Sequence, residues 1–294
     1  MTYRSGFVAL VGRPNAGKST LVNRLCGAHV SIVSDKPQTT RHRIVGVKNY
    51  PDGQMVFVDT PGIHRPLHRM NVRMVDTAVE AARQADLVGL VQDASIPSGS
   101  GDAFVRDLMK ATSLPVILIL NKVDRVSKPR LLPMIEAASR AFPFVEIVPV
   151  SALDGTNVDR LEQVLLQHLP EGEPLYPKDY VTEQPERFFV AEIVREKVLD
   201  STRNELPFST AVVVDRFEEP DEKGLMRLYC SILVERESQK GILVGRAGNM
   251  VKRIGTAARL ELERFFDTRV YLDLRVKVRS DWREDDRVLN DLGM

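Results

Sequence analysis

Residues Gly12 to Thr20 read Gly-Arg-Pro-Asn-Ala-Gly-Lys-Ser-Thr, with the spacing G-x-x-x-x-G-K-[ST]. The chemistry such a run can do is phosphate binding. Glycines let the backbone fold closely enough for successive N–H groups to converge on anionic oxygens, reinforced by the start of a helix. Gly12, Arg13, Pro14, Asn15, Ala16, Gly17, Lys18, Ser19 and Thr20 are therefore expected to line a phosphate site. Lys18 would place a point charge on the β- and γ-phosphates, and Ser19 would offer a hydroxyl to Mg²⁺.

Two further groups decide what the phosphates belong to and what happens to them. Asn121-Lys122-Val123-Asp124 follows an apolar run. From there Asp124 can accept from N1–H and the 2-amino group of a purine, a donor pair that guanine has and adenine lacks. Asn121 can donate to the other edge of the base, and the Lys122 stem can pack over the ring. Ser151-Ala152 ends another apolar run, and its backbone N–H could meet the guanine carbonyl. Asp59-Thr60-Pro61-Gly62 closes the run Met55–Val58. Asp59 can hold a water on Mg²⁺, and Gly62 can give a backbone N–H to the γ-phosphate. Thr40, in the polar loop containing Thr39-Thr40, supplies a second hydroxyl for Mg²⁺. Lys18, Thr40 and Gly62 are thus the residues expected to carry hydrolysis, in loops that relax when the γ-phosphate leaves. Ile63 follows Gly62 and cannot orient water by a hydrogen bond, so no side-chain general base is assigned.

These residues need strands and helices to hold them. Strand-like runs fall at Phe7–Val11, Ile44–Val47, Met55–Val58, Leu87–Val91, Val116–Leu120 and Val145–Val150. Helix-like stretches lie between them: Thr20–Leu25, Val72–Gln84, Ala103–Ala111, Arg130–Phe142 and Val158–His168. The alternation predicts an α/β domain over 1–169, with a mostly parallel sheet and helices on both faces. Tyr50-Pro-Asp-Gly53 predicts a hairpin and one antiparallel edge strand. The proline-punctuated stretch 170–184 reads as a linker. Beyond it, 185–280 reads as a smaller α+β domain in the order helix, strand, strand, helix, helix, strand, and 281–294 as a tail packed through Trp282.

Gly245-Arg246-Ala247-Gly248 in that second domain is a G-x-x-G loop, preceded by an apolar run and followed by a basic amphipathic helix. In KH domains this loop clamps single-stranded RNA backbone. From Lys240 to Arg283 there are eleven Lys/Arg against five Asp/Glu, an excess hidden by the overall net charge of +1. Gly245, Arg246, Ala247, Gly248, Lys252 and Arg253 are the expected RNA contacts.

Bulk composition excludes several classes. At 43% hydrophobic and 28% charged, the chain is that of an ordinary globular protein. It shows no signal peptide and no apolar run of membrane-spanning length. Its two cysteines support neither a disulfide framework nor a zinc site. His64 and His68 stand four apart, but Pro66 lies between them and no carboxylate completes a ligand set.

Taken together, Gly12–Ser19, Gln38-Thr-Thr-Arg41 and Asp59-Thr-Pro-Gly-Ile-His64 resemble the Era-type family of translation-factor-like GTPases, along nearly the whole chain. The resemblance implies a P-loop GTPase domain followed by a type II KH domain. It also implies slow GTP hydrolysis to GDP and phosphate with Mg²⁺, and a switch that binds the single-stranded 3′ end of 16S rRNA on the precursor of the 30S subunit. Ile63 fits the hydrophobic residue of that family. In related potassium-stimulated GTPases an asparagine at the place of Asn15 ligates K⁺; a loop-shaping role for Asn15 stands beside that reading. A cytoplasmic protein with peripheral inner-membrane contact is implied as well, and no DNA partner. Three alternatives stay open: a passive RNA-binding protein with a structural nucleotide domain, a P-loop enzyme acting on tRNA or DNA, and a tandem-domain GTPase. The last two lack support in a catalytic cysteine motif, a helicase-like element or a second P-loop.

Overall fold

The computed structural model of the chain describes residues 2–36, 38–202 and 206–294. Two compact units emerge, one built chiefly from residues up to Glu183 and the other from Gln184 to Met294.

Six strands of the first unit make one sheet: β1 (Arg4–Gly12), β2 (Ile44–Tyr50), β3 (Gly53–Asp59), β4 (Leu87–Asp93), β5 (Val116–Asn121) and β6 (Glu146–Pro149). Their order is β2-β3-β1-β4-β5-β6. Every pairing is parallel except β2 with β3, which turns back at Tyr50–Gly53 as the hairpin signal predicts. Five helices join the strands: α1 (Lys18–Cys26), α2 (Arg69–Gln84), α3 (Ser100–Met109), α4 (Lys128–Ala141) and α5 (Val158–Gln167).

Successive strand side chains point to opposite faces, so each apolar strand feeds two cores. Ile117 and Ile119 join Leu21 and Leu25 of α1 and Leu161 and Leu165 of α5. Leu118 and Leu120 join Ala78 and Ala82 of α2 and Val105 and Met109 of α3. Each fully buried Leu or Ile contributes about 1.5–3 kcal/mol relative to exposure, which anchors the strand ends that carry the loops. Helix α4 is the exception. It has no fully buried side chain, and Leu132 on it is 63% exposed.

The stretch after Pro170 is held along this unit. Val47 N–H donates to Val181 O at 2.9 Å, the Gln54 amide accepts from Leu175 N and Tyr176 N and donates to Tyr176 O, and Arg43 pairs with Glu183 at 2.9 Å.

The second unit contains α6 (Glu186–Ser201), β7 (Ala211–Glu218), β8 (Leu225–Val234), α7 (Glu237–Val244), α8 (Asn249–Phe266), β9 (Arg269–Val278) and α9 (Asp286–Asp291). β8 lies in the middle of its sheet, antiparallel to β7 and parallel to β9. Alternate β8 residues Met226, Leu228, Cys230 and Ile232 face Val190 and Val194 of α6 and Ile254, Ala258 and Leu262 of α8. The tail is fixed here as expected: Trp282 is fully buried and its Nε1–H donates to Ser209 O at 3.1 Å. Burial pushes the Cys26 and Cys230 thiols up to about 12, so both stay protonated and unreactive near neutrality.

Candidate functional site

Sequence dictates the P-loop by what it forbids. Gly17 sits at φ +91° as the N-cap of α1, a conformation that favours glycine, and a Cβ there would lie 2.3 Å from Asn121 Nδ2. Asn15 also has positive φ, +62°. Lys18 opens α1 and lies buried, its ammonium donating to Gly12 O at 3.3 Å and Arg13 O at 3.2 Å. Burial lowers its pKa from 10.5 to about 8, against the attraction of Asp59. The loop thus holds a buried cation whose partners among the described residues are carbonyl oxygens and one nearby carboxylate. A phosphate group is the chemistry that completes it.

Below the loop the three expected magnesium residues converge. Ser19 Oγ and Thr40 Oγ1 stand 2.7 Å apart, and Thr40 Oγ1 donates to Asp59 Oδ2 at 3.3 Å. Ser31, which lies outside every sequence motif, donates to the same oxygen at 2.8 Å. Asp59 is fully buried, and its Oδ1 has no hydrogen-bond partner among the described residues. Burial raises its pKa, while Lys18 and the hydroxyls of Ser19, Ser31 and Thr40 oppose that rise. Hard oxygen donors around an orphaned buried carboxylate oxygen suit Mg²⁺. Residues Thr20, Pro14 and Ala16 lie within the same loop and helix start; Ala16 is buried in the core beneath it.

The second loop closes over the P-loop because Gly62 has no side chain: a Cβ there would lie 2.7 Å from both N and Cα of Pro14. Ile63 is fully buried among the α2 and α3 core residues, and its N–H donates to Gly12 O at 2.9 Å. It is a structural anchor of the loop, with its side chain in the core. Thr60 Oγ1 donates to Leu10 O at 2.7 Å and pins the same loop. His64 contacts Gly62 O and Gln38 Nε2, at 2.9 and 3.3 Å, linking the two loops.

At the guanine motif Asn121 and Ser151-Ala152 are tied together. Asn121 is almost fully buried: its Nδ2 donates to Ala16 O at 2.8 Å and its Oδ1 accepts from Ala152 N at 3.0 Å. Ser151 N donates to Thr156 O at 3.0 Å. Both backbone N–H groups of Ser151-Ala152 thus donate within the loop cluster. The physical reason is that three loops meet here, and Asn121 bridges them. Ser151 also acts through its hydroxyl, which donates to Asp124 Oδ1 at 2.7 Å and aims that carboxylate. Lys122, at φ +67°, reaches across the loop to Asn15 O and Asp93 Oδ2, each at 2.6 Å. Burial works to raise the Asp93 pKa, but hydrogen bonds from Lys122 and Ser95 outweigh it and hold the carboxyl low. Asp93 and Asp102 are positioning residues that sequence spacing does not reveal. Asp102, at the start of α3, pairs with Arg13 at 3.2 Å and accepts from Gly99 N.

In the second unit the G-x-x-G turn is built on positive φ at Gly245 (+72°), Ala247 (+52°) and Gly248 (+77°). A Cβ on Gly245 would press on Met250, whereas at Gly248 it would meet nothing within 4 Å, so that side of the turn is open. Beside it, between α8 and β9, runs a groove of about 270 Å³ with Val251, Leu272 and Leu274 as floor and Lys252 and Arg259 as cations. Of the sequence-expected RNA contacts, Lys252 lines this groove. Arg253 does not line the groove, and its guanidinium contacts Met250 Sδ at 3.2 Å. Arg246 and Ala247 stay on the turn. Gly255 and Arg259, one and two helical turns beyond Lys252, complete the groove from outside the loop motif.

Family comparisons fit this geometry. A family described as "50S ribosome-binding GTPase" matches residues 7–122, and the KH domain family matches residues 205–283. The GTPase Era of Geobacter metallireducens is 48% identical over 291 residues, covering 99% of this chain and 98% of that protein. The GTPase Era of Heliobacterium modesticaldum is 48% identical over 290 residues, covering 99% and 97%. Among solved structures, Era in complex with MgGDPNP and nucleotides 1506–1542 of 16S ribosomal RNA superposes with a TM-score of 0.96 at 41% identity, covering 99% of both chains. An Aquifex aeolicus Era variant bound to GDP·AlF4⁻ gives 0.95 at 41% identity, again covering 99% of both. The chain is a GTP-hydrolysing P-loop enzyme with a C-terminal KH domain, and it belongs to the Era family of GTPases.

Proposed function

We propose that the chain is a GTP-controlled clamp for the single-stranded 3′ end of 16S rRNA, acting in maturation of the 30S subunit. One observation carries the reading: a buried lysine and an orphaned aspartate oxygen prepared for a Mg-bound triphosphate occur in the same chain as a KH turn with a basic-edged groove. A relative at 41% identity holds MgGDPNP and that RNA together.

In this reading Gly12–Thr20 receives the phosphates, Asp124 reads guanine, Asn121 and Ser151 position it, and Lys122 covers the ring. Ser19, Thr40 and Asp59 hold Mg²⁺, which when bound neutralises charge on the β- and γ-phosphates. Lys18 and the Gly62 N–H stabilise charge as the phosphoryl group departs. Because Ile63 lies in the core, no side-chain base is assigned and turnover is slow. Asn15 is the proposed K⁺ ligand; equal hydrolysis rates in KCl and NaCl would exclude that role. Residues 170–183 are held along the GTPase unit, and the KH unit begins at Gln184. No helix among the described residues is long and apolar enough to cross a membrane, so inner-membrane contact would be peripheral.

The test uses the full chain. It should hydrolyse GTP in Mg²⁺, lose turnover with Lys18→Ala, and bind an RNA of the 16S 3′ end in preference to a scrambled RNA. Equal affinity for the scrambled RNA would overturn the substrate assignment while leaving the GTPase intact.

A further inference from the structure

The GTPase domain has a second cavity that takes no part in guanine or phosphate recognition. It measures about 460 Å³ and lies among the loop after β4, the outer side of α3 and helix α4. That volume is in the range of small-molecule sites. Its floor is rigid, since Gln92 and Leu120 belong to the central strands β4 and β5, with Gln92 next to Asp93 and Leu120 next to Asn121. Its walls are apolar and include Ile96, Pro133, Met134 and Ala138.

Two features say what would fill it. Among the described residues, the only charged ones lining it are Arg106 and Arg130; no carboxylate does. Arg106 contacts Ser98 Oγ at 3.4 Å and lies next to Asp107, whose carboxyl Lys110 holds low with help from the Arg106 charge, while Arg130 is exposed to solvent. Beside the cavity, α4 buries no side chain fully although it carries Leu131, Leu132, Met134 and Ile135. A mainly apolar groove lined by two guanidinium groups and no carboxylate matches an apolar body bearing one anionic group, because guanidinium pairs well with carboxylate, sulfonate or phosphate oxygens.

We propose that the cavity between α3 and α4 binds a small amphiphile that joins an apolar body to a single anionic group. The probe pair is 1-anilinonaphthalene-8-sulfonate and N-phenyl-1-naphthylamine, which share an aromatic body and differ by the sulfonate. Both are titrated by fluorescence into the full-length, GDP-bound protein. The double variant Arg106→Glu/Arg130→Glu should weaken the sulfonate by about tenfold or more and leave the neutral probe within about threefold. Ala137→Trp, at an exposed lining position, should fill the chamber and weaken both probes by about tenfold. GTP turnover should be unchanged in each variant, which shows that they fold. The proposal fails if the sulfonate does not bind, if Ala137→Trp leaves its affinity unchanged, or if charge reversal weakens both probes equally.

Discussion

Lys18 shows what the site asks of a single residue. Burial holds its pKa at about 8, whereas a phosphate beside it would keep it charged to higher pH. Above pH 8 the nucleotide-free protein carries a neutral Lys18, so nucleotide binding must take up a proton. GDP affinity should therefore be level up to about pH 8 and then fall, by up to about tenfold per unit. Titration across pH 7 to 9 reads this, and Lys18→Met should remove the slope along with most of the affinity. For folding the sign is opposite. The unfolded chain binds more protons than the native one between about 8 and 10.5, so the nucleotide-free fold gains stability across that window. Ile63 gives a second prediction at this scale. It is fully buried, so Ile63→Gln should destabilise the fold by the cost of burying an amide, about 1–3 kcal/mol, seen as a lower melting temperature, without accelerating hydrolysis. Faster turnover in that variant would show that the position faces the γ-phosphate. Residue types and spacing make Lys18, Ser19, Thr40, Asp59 and Asp124 legible in the sequence. Ser31, Asp93 and Asp102 are not legible there, because each meets its partner across a gap of 28 to 89 residues. Short polar side chains of that kind leave no local pattern.

At the scale of elements, strand runs are readable because buried parallel strands are nearly continuous apolar segments. The hairpin is readable from Tyr50–Gly53. Helix α4 is readable as a helix but not as a weakly docked one. Its apolar residues have helical spacing, yet none becomes fully buried, and burial depends on neighbours that spacing does not describe. The KH groove is half legible. Lys252 follows from the loop motif, but Arg259 and the floor of Leu272 and Leu274 come from the packing of α8 against β9. Gly255 tests that groove. A Cβ there would meet only Leu274, at 3.8 Å, so Gly255→Val should leave stability nearly unchanged while crowding the channel. RNA affinity should fall by about tenfold, measured by fluorescence anisotropy. Lys252→Ala should instead weaken binding of all single-stranded RNAs alike and reduce the salt dependence by about one unit of slope.

For the whole molecule, a nearly neutral chain combines a GTP-hydrolysing domain with a locally basic RNA-binding one. A switch requires that the free energy of one site depend on the state of the other, and such coupling is reciprocal. If a GTP analogue strengthens RNA binding by a given factor, RNA must strengthen binding of that analogue by the same factor. The measurement that bears most directly on this is the affinity of the full chain for a 16S 3′-end RNA with a GTP analogue, with GDP and with no nucleotide. Binding about tenfold tighter with the analogue than with GDP is the predicted result; identical affinities in all three states would contradict a GTP-controlled clamp.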